Sequence, residues 1–178
     1  MSKKPDILKQ EVIAKSRIFK IEALDLCFSN GEQRQFERLI SSRSAVVIVP
    51  FLDSKTILLI REYAAGVDRY ELTFPKGVID QGEELLAAAN RELQEEVGYG
   101  AHELITVRNM TTSPGYWNSN ATLIVARSLY ESKLPGDEPE PLEVIPWLLT
   151  DYRNLLNHEE FTEARNIAAL LLVKEMFA

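Results

Sequence analysis

Between Gly77 and Tyr99 the chain reads Gly-Val-Ile-Asp-Gln-Gly-Glu-Glu-Leu-Leu-Ala-Ala-Ala-Asn-Arg-Glu-Leu-Gln-Glu-Glu-Val-Gly-Tyr, and no other stretch constrains the fold as much. Leu86, Ala89, Leu93 and Val97 recur at helical spacing. They predict a helix over 83–97 with this stripe turned to a core. Glu92, Glu95 and Glu96 are spaced i, i+3, i+4, so they project together from a neighbouring face. Carboxylates at that spacing repel by about a few tenths of a kcal/mol per pair. A hard divalent cation, which prefers oxygen ligands, relieves the repulsion. Arg91 lies one turn before Glu95 and is placed to orient it. Gly98 and Gly100 suit a helix C-terminal stop. Gly77 and Gly82 frame a loop expected to need unusual backbone angles beside a ligand site. The plain alternative is a solvated acidic face, and the arginine and the four glycines argue against it.

The rest of the chain supplies a domain for this helix to pack into. At 178 residues it buries a core without staples. Lys plus Arg number 20 against 27 Asp plus Glu, a net charge of −7, which argues against a nucleic-acid coat or a polybasic membrane patch. A phosphate-bearing substrate stays open, because divalent metals invert the local sign of an acidic site. The single cysteine, Cys27, excludes an intrachain disulfide and a four-cysteine zinc ribbon. It is expected to be a small buried hydrophobe. No apolar run reaches membrane-spanning length, and the first residues lack the apolar segment of a secretory leader. A cytoplasmic address follows as the expectation.

The first forty residues read as strands. Val12–Ala14 and Ile18–Leu26 alternate in part, Ser29-Asn30-Gly31 is a hairpin turn, and Gln33–Ile40 returns. Three antiparallel strands are too few to bury both faces, so the unit needs a further surface to cover. Apolar runs at Ala45–Pro50 and Thr56–Arg61 predict central strands, with a weaker one at Tyr70–Phe74. Further strands are expected at Leu104–Met110, Ala121–Ala126 and Val144–Leu149. Pro135–Pro141 is an acidic, proline-broken loop. Asn157-His-Glu-Glu160 reads as a capping box before a final helix over 162–176. The order predicts an α/β sandwich, with a boundary between an N-terminal β unit at 1–43 and a main domain at 44–178.

Gly77, Glu83, Arg91, Glu92, Leu93, Glu95, Glu96, Gly98 and Tyr99 satisfy Gly-x5-Glu-x7-Arg-Glu-apolar-x-Glu-Glu-x-Gly-apolar. This resembles the Nudix box, with Tyr99 where a small aliphatic is commoner. The resemblance implies an α/β/α sandwich with a mixed sheet, preceded here by the small antiparallel unit. It implies a metal-dependent hydrolase of a nucleoside diphosphate linked to another group X. It assigns Glu92, Glu95 and Glu96 to Mg²⁺ or Mn²⁺, with the Lys76 carbonyl a further metal ligand. Gly77, Glu83 and Gly98 take structural parts. Glu83 lies nine residues before Glu92, and helical phase puts it on the opposite side.

Several segments are similar to the NudE-type branch of ADP-compounds hydrolases: Leu59-Ile-Arg-Glu-Tyr-Ala64, Tyr70-Glu-Leu72, Lys76-Gly77, Gly136-Asp-Glu-Pro-Glu-Pro141 and Glu163-Ala-Arg-Asn166. That branch cleaves ADP-ribose, NADH and short diadenosine polyphosphates, releasing AMP. GDP-sugars, other dinucleoside polyphosphates and capped RNA are alternative substrates. A silent ADP-ribose sensor is a reading of another class, and the intact glutamates speak against it. Pro114 and Tyr116 stand where the family carries marks of ADP-ribose and dinucleoside polyphosphate specificity, although Ser119 replaces a glutamate common in ADP-ribose enzymes.

The proton acceptor is left open among Glu138, Glu140, Glu92 and Glu95, with Glu140 aligning better with the family's loop glutamate. Arg61 is either a phosphate partner or a strand-end surface arginine. Glu71 either accepts from substrate or forms a cross-strand ion pair. Tyr63, Phe74, Tyr116 and Trp117 are candidates to stack on adenine. Arg43 reads as a surface residue, and His102 and His158 have no metal-ligand neighbours. Related enzymes use the N-terminal strands to form a homodimer, which is expected here too, with a small-molecule nucleotide as substrate and neither membrane nor nucleic acid as partner.

Overall fold

The computed structural model describes residues 3–41 and 43–177. Met1 and Ser2, part of the stretch considered for a leader, lie outside them. Two compact units emerge: one up to Ser44 together with Thr111–Asn120, the other Ala45–Met110 with Ala121 onward.

In the first unit, β1 (Asp6–Lys15), β2 (Lys20–Cys27) and β3 (Gln33–Leu39) form an antiparallel sheet in that order. The expected Asn-Gly turn joins β2 to β3. Gly31 takes φ +85°, a left-handed conformation open to glycine, and Asn30 Oδ1 accepts the Glu32 N–H at 3.1 Å. Glu22 is buried on β2 between Gln10 Nε2 and Arg38 Nε, each donating at 2.7 Å. Cys27 is half-buried, not the buried hydrophobe expected, because it ends β2 where the sheet gives way to the turn. The Leu39 N–H donates to the Tyr116 carbonyl at 2.7 Å, which ties the 111–120 segment to β3.

In the second unit, β4 (Ala45–Pro50), β5 (Thr56–Ala64), β6 (Arg69–Thr73), β7 (Lys76–Val78), β8 (Tyr99–Thr111), β9 (Asn120–Glu131) and β10 (Glu143–Leu148) form two sheets. Their orders are β7-β4-β9-β8 and β10-β5-β6. β4 runs parallel to β9 and antiparallel to β7, so that sheet is mixed. Pro146 is accommodated because β10 is an edge strand, where a missing N–H leaves no bond unmade. Strand alternation divides the core. Val46, Ile48, Leu58 and Ile60 pack with Ala89, Leu93 and Val97 of α1 (Leu85–Glu96) and its C-cap. Val47, Val49, Ile57 and Leu59 pack with Leu155 of α2 (Tyr152–Leu156) and with Ala169, Leu170 and Val173 of α3 (Ala164–Met176). Helices therefore cover both sheet faces, the α/β/α arrangement expected.

Three local expectations need correction. Leu86 is 40% exposed; the buried stripe runs through Leu85, Ala88 and Ala89, and Leu86 falls at its rim in the first turn. The final helix starts at Ala164, and Asn157 is no N-cap. Its side-chain amide donates to the Arg153 carbonyl at 2.9 Å and closes α2. β5, β8 and β9 extend beyond their apolar runs, because ladder pairing carries them into polar sequence.

Candidate active site

The approach to α1 is fixed by the core of the second unit. Asn166, fully buried on α3, donates to Thr73 Oγ1 at 2.9 Å and accepts the Phe74 N–H at 3.2 Å. The Pro75 carbonyl accepts the Ile48 N–H at 2.8 Å. Lys76–Val78 then pairs with β4, Val46 opposite Gly77. A satisfied buried polar contact of this kind specifies one arrangement and is costly to break. Lys76 and Gly77 are thereby set against the helix.

Arg91 gathers the carboxylates. Its guanidinium donates to both oxygens of Glu83, from Nε at 2.8 Å and Nη2 at 2.9 Å. Nη1 donates to Glu92 Oε1 at 2.8 Å and to Glu95 Oε2 at 2.9 Å, and Nη2 reaches the Val78 carbonyl at 3.1 Å. Only a planar, five-donor cation serves so many acceptors at once. Glu83 also accepts the Asp80 N–H at 3.0 Å. It precedes the helix, so the helical-phase argument that set it opposite Glu92 does not apply; loop geometry folds it back to Arg91. These bonds hold the Glu83 carboxyl down at about 2, and the Glu83 pair raises the guanidinium in turn.

Glu96 is buried, and its Oε2 accepts the Lys76 N–H at 2.9 Å. Burial pushes its carboxyl up to about 8, against the opposing pull of Lys76. Burial raises Glu92 as well, with Arg91 opposing. Among the described residues, no three His, Cys, Asp or Glu converge tightly enough to hold a metal ion as they stand. The donors nevertheless suit a hard cation. They are carboxylates on one helical face, and the two most buried, Glu92 and Glu96, carry a charge that their surroundings disfavour.

Sequence reasoning left Glu62 of β5 unassigned, yet its carboxylate pairs with the Lys76 ammonium, and its charge is felt by Glu96 and Glu138. The signal available was Glu62 extending the even-numbered β5 residues, Leu58 and Ile60, that face α1. The acidic loop reaches the same end of the helix. The Leu134 N–H donates to the Gln94 carbonyl at 3.2 Å, and the Lys133 ammonium donates to the Glu95 carbonyl. A Cβ added at Gly136 would lie 3.6 Å from that carbonyl oxygen, ordinary packing distance. Desolvation raises the Glu138 carboxyl, with Glu62 and Asp137 adding to it and Lys76 opposing. Glu140 accepts from the Tyr70 hydroxyl at 2.6 Å.

The remaining candidates are placed as follows. Arg61 donates to Glu160 at 3.0 Å and pairs with Glu143. Glu71 is buried, accepting from Arg69 Nε at 2.6 Å and from the Thr162 hydroxyl at 2.9 Å. Phe74 is fully buried against Phe161, ring centroids 6.1 Å apart, and has no free face for adenine. Tyr63 is exposed, packed edge-on to Tyr70 at 5.5 Å. Pro114, Tyr116 and Trp117 belong to the first unit, where Tyr116 is 59% exposed. Arg43, also in that unit, is exposed as expected. His102 lies against the Tyr130 ring at 4.5 Å, and His158 accepts the Glu160 N–H at 3.2 Å. Gly98 takes φ +86° after α1, as a helix stop requires.

Comparison with known proteins agrees with this geometry. Residues 5–38 match the NudE-type Nudix hydrolase N-terminal domain, and residues 41–170 match the NUDIX domain. The chain is 49% identical to the ADP compounds hydrolase NudE of Escherichia coli, across 97% of this chain and 92% of that protein. It is 29% identical to the ADP-ribose pyrophosphatase of Bacillus subtilis, across 92% and 91%. A crystal structure of ADP compounds hydrolase superposes with a TM-score of 0.94 at 48% identity, covering 99% of this chain and 95% of that one. The helix with its carboxylates, the sandwich around it and these matches together place the chain in the Nudix hydrolase family.

Proposed function

We propose that this Nudix hydrolase cleaves the pyrophosphate bond of ADP-X compounds, with ADP-ribose, NADH and diadenosine di- and triphosphate as candidate substrates, yielding AMP and X-phosphate. The observation that carries the reading is the Arg91-centred set of Glu83, Glu92 and Glu95 beside buried Glu96. The matches to ADP compounds hydrolase support the adenine side of it.

Nudix hydrolases generally need divalent cations. Here Glu92, Glu95 and Glu96, with the Lys76 carbonyl, would hold Mg²⁺ or Mn²⁺. Such a cation would supply neutralisation of diphosphate charge and a lowered pKa for an attacking water. The chain's own residues do the rest. Arg91 fixes the glutamates in orientation before substrate arrives, so little reorganisation remains for the reaction. A carboxylate, Glu92, Glu95 or one of the loop pair Glu138 and Glu140, accepts the proton of the attacking water. The bridging P–O bond breaks, and the leaving phosphate carries the electron pair away. Arg61 and Glu71 serve binding through the ion pairs that position them, and Pro114 and Tyr116 contact the nucleoside. The three-stranded sheet mediates a homodimer. Its support is the apolar surface at Ile7, Leu8, Val12 and Ile13, each about half exposed. The reaction is assigned to the cytoplasm on the single thiol. Among the described residues no helix is long and apolar enough to cross a membrane.

The test is incubation with Mg²⁺ or Mn²⁺ and ADP-ribose, NADH, diadenosine di- and triphosphate or GDP-mannose, with products separated by chromatography. AMP from the adenine compounds is expected. In Glu96→Gln, kcat falls at least ~10²-fold while the fold is retained. GMP from GDP-mannose without AMP from the others would overturn the substrate assignment.

A further inference from the structure

We propose that Glu62 is a positioning residue: by pairing with the Lys76 ammonium it draws that charge off Glu96 and leaves the Glu96 carboxylate open to the divalent cation. This deepens the hydrolase reading and rests on the metal-binding set given there.

Lys76 meets the site with two groups. Its main-chain N–H donates to Glu96 Oε2 at 2.9 Å, and its ammonium, on a flexible four-carbon stem, pairs with Glu62 of β5. The carboxylate meant for a metal is thus bonded to the main chain of a residue that carries a cation of its own. Among the described residues the other oxygen, Oε1, accepts no hydrogen bond. A buried carboxylate gains much from any cation that reaches it. The Lys76 charge already acts on Glu96 more strongly than those of Glu92 and Glu62 do. With nothing else to hold it, the ammonium would close on Oε1, and a salt bridge would stand where the metal bond belongs.

Glu62 is placed to prevent this. Leu58 and Ile60 pack against α1, and Glu62 is the next residue on that face of β5. The Glu62 and Lys76 side chains are 26% and 21% exposed, so their attraction is screened less than that of a surface pair. Glu62 stands opposite Glu71 in the β5–β6 register, where facing like charges are unfavourable. Glu71 is served by Arg69 and Thr162 and makes no claim on Lys76. The plain alternative is that Lys76 only neutralises Glu62 within the strand pair. That alternative gives Glu62 no hold over Glu96, and it predicts unaltered cation binding when Glu62 is replaced.

The experiment titrates Mn²⁺ alone into wild type, Glu62→Gln, Glu62→Ala and Glu62→Gln/Lys76→Met. Binding is followed by electron paramagnetic resonance, and circular dichroism checks the fold. Both Glu62 variants should bind Mn²⁺ about 10-fold more weakly, as loss of a group that supports a metal ligand does. Glu62→Ala offers the ammonium no acceptor at all and should be no better than Glu62→Gln. Removing the ammonium as well should restore binding to within about 3-fold of wild type, a coupling that independent groups would not show. Wild-type affinity in both Glu62 variants overturns the proposal. So does a double variant as weak as Glu62→Gln, which would make Glu62 a partner of the cation itself. The crystal structure of metal-free Glu62→Gln separates displacement from a mere change in net charge. Lys76 Nζ should lie within hydrogen-bond distance of Glu96, and an ammonium that stays away from Glu96 refutes the proposal. In turnover of ADP-ribose, the Mg²⁺ concentration for half-maximal rate should rise about 10-fold in Glu62→Gln. Failure of the hydrolase reading would show separately, as wild-type protein that binds Mn²⁺ but releases no AMP.

Discussion

Gly77 leaves open the space that the Glu92 carboxylate fills: a Cβ built on Gly77 would lie 1.9 Å from Glu92 Cδ and 2.0 Å from Oε1. The sequence reading assigned Gly77 to unusual backbone angles, but its backbone is ordinary, unlike that of Gly82 at φ +83°. What glycine supplies here is close approach. Gly77→Ala should therefore fold, since β7 tolerates alanine, while Glu92 is driven off its place beside Arg91. We expect kcat to fall by about 10-fold or more, as misplacement of a catalytic group by an ångström does. Thermal unfolding and turnover measured on the same sample check this. A large loss of stability would show instead that the backbone had shifted.

Glu83 gives the acid limb of stability. Its folded pKa of about 2 lies below the ordinary carboxylate value of 4.5, because Arg91 binds the ionised form. A depressed carboxylate stabilises the fold above its unfolded pKa, and that contribution is lost as pH falls through the folded one. The window is therefore about pH 4.5 down to about 2. Urea unfolding of wild type and Glu83→Gln should differ most at neutral pH and converge toward pH 2. A constant difference across the window would remove the Glu83 charge from the explanation.

The helix, its glutamates and most central strands were legible because each has a local signature: a 3.6-residue period, a carboxylate triplet, an unbroken apolar run. β7 was not, since three residues carry no period and its existence depends on pairing with β4, thirty residues upstream. Asn157 misled because Asn serves either end of a helix. With α2 only five residues long, nothing in the pattern announced the helix it closes. Asn166 stood in a quoted segment, but its part as the buried peg for Thr73 and Phe74 needed the third dimension. Glu62 and Tyr70 were passed over for a similar reason: their partners, Lys76 and Glu140, lie 14 and 70 residues away.

Tyr116 combines a fixed backbone with an exposed ring. Its carbonyl accepts the Leu39 N–H at 2.7 Å and its own N–H donates to the Ser113 carbonyl at 3.1 Å, while the residue is 59% exposed. Removing the ring leaves these main-chain bonds intact. If the ring stacks on adenine, Tyr116→Ala should weaken adenine substrates by about 1–2 kcal/mol, seen as a raised KM with little change in kcat. An unchanged KM for both ADP-ribose and diadenosine triphosphate would remove Tyr116 from the site.

The N-terminal sheet makes the proposed homodimer testable without reference to catalysis. Val12 is opposite buried Glu22 in the β1–β2 register and is itself 51% exposed; Leu8, also on β1, is 55% exposed. Neither side chain holds this sheet together, whose ladders and Glu22 bonds lie elsewhere. Large apolar residues on a strand have a reason to be there if a second copy covers them, and a two-fold axis buries the same patch twice. Leu8→Glu/Val12→Glu should place like charges across such an axis. Sedimentation at micromolar concentration should then give the mass of one chain for the variant and of two for the wild type, with circular dichroism unchanged. A wild type that sediments as a single chain would end the dimer proposal, and a variant that remains paired would move the interface off β1.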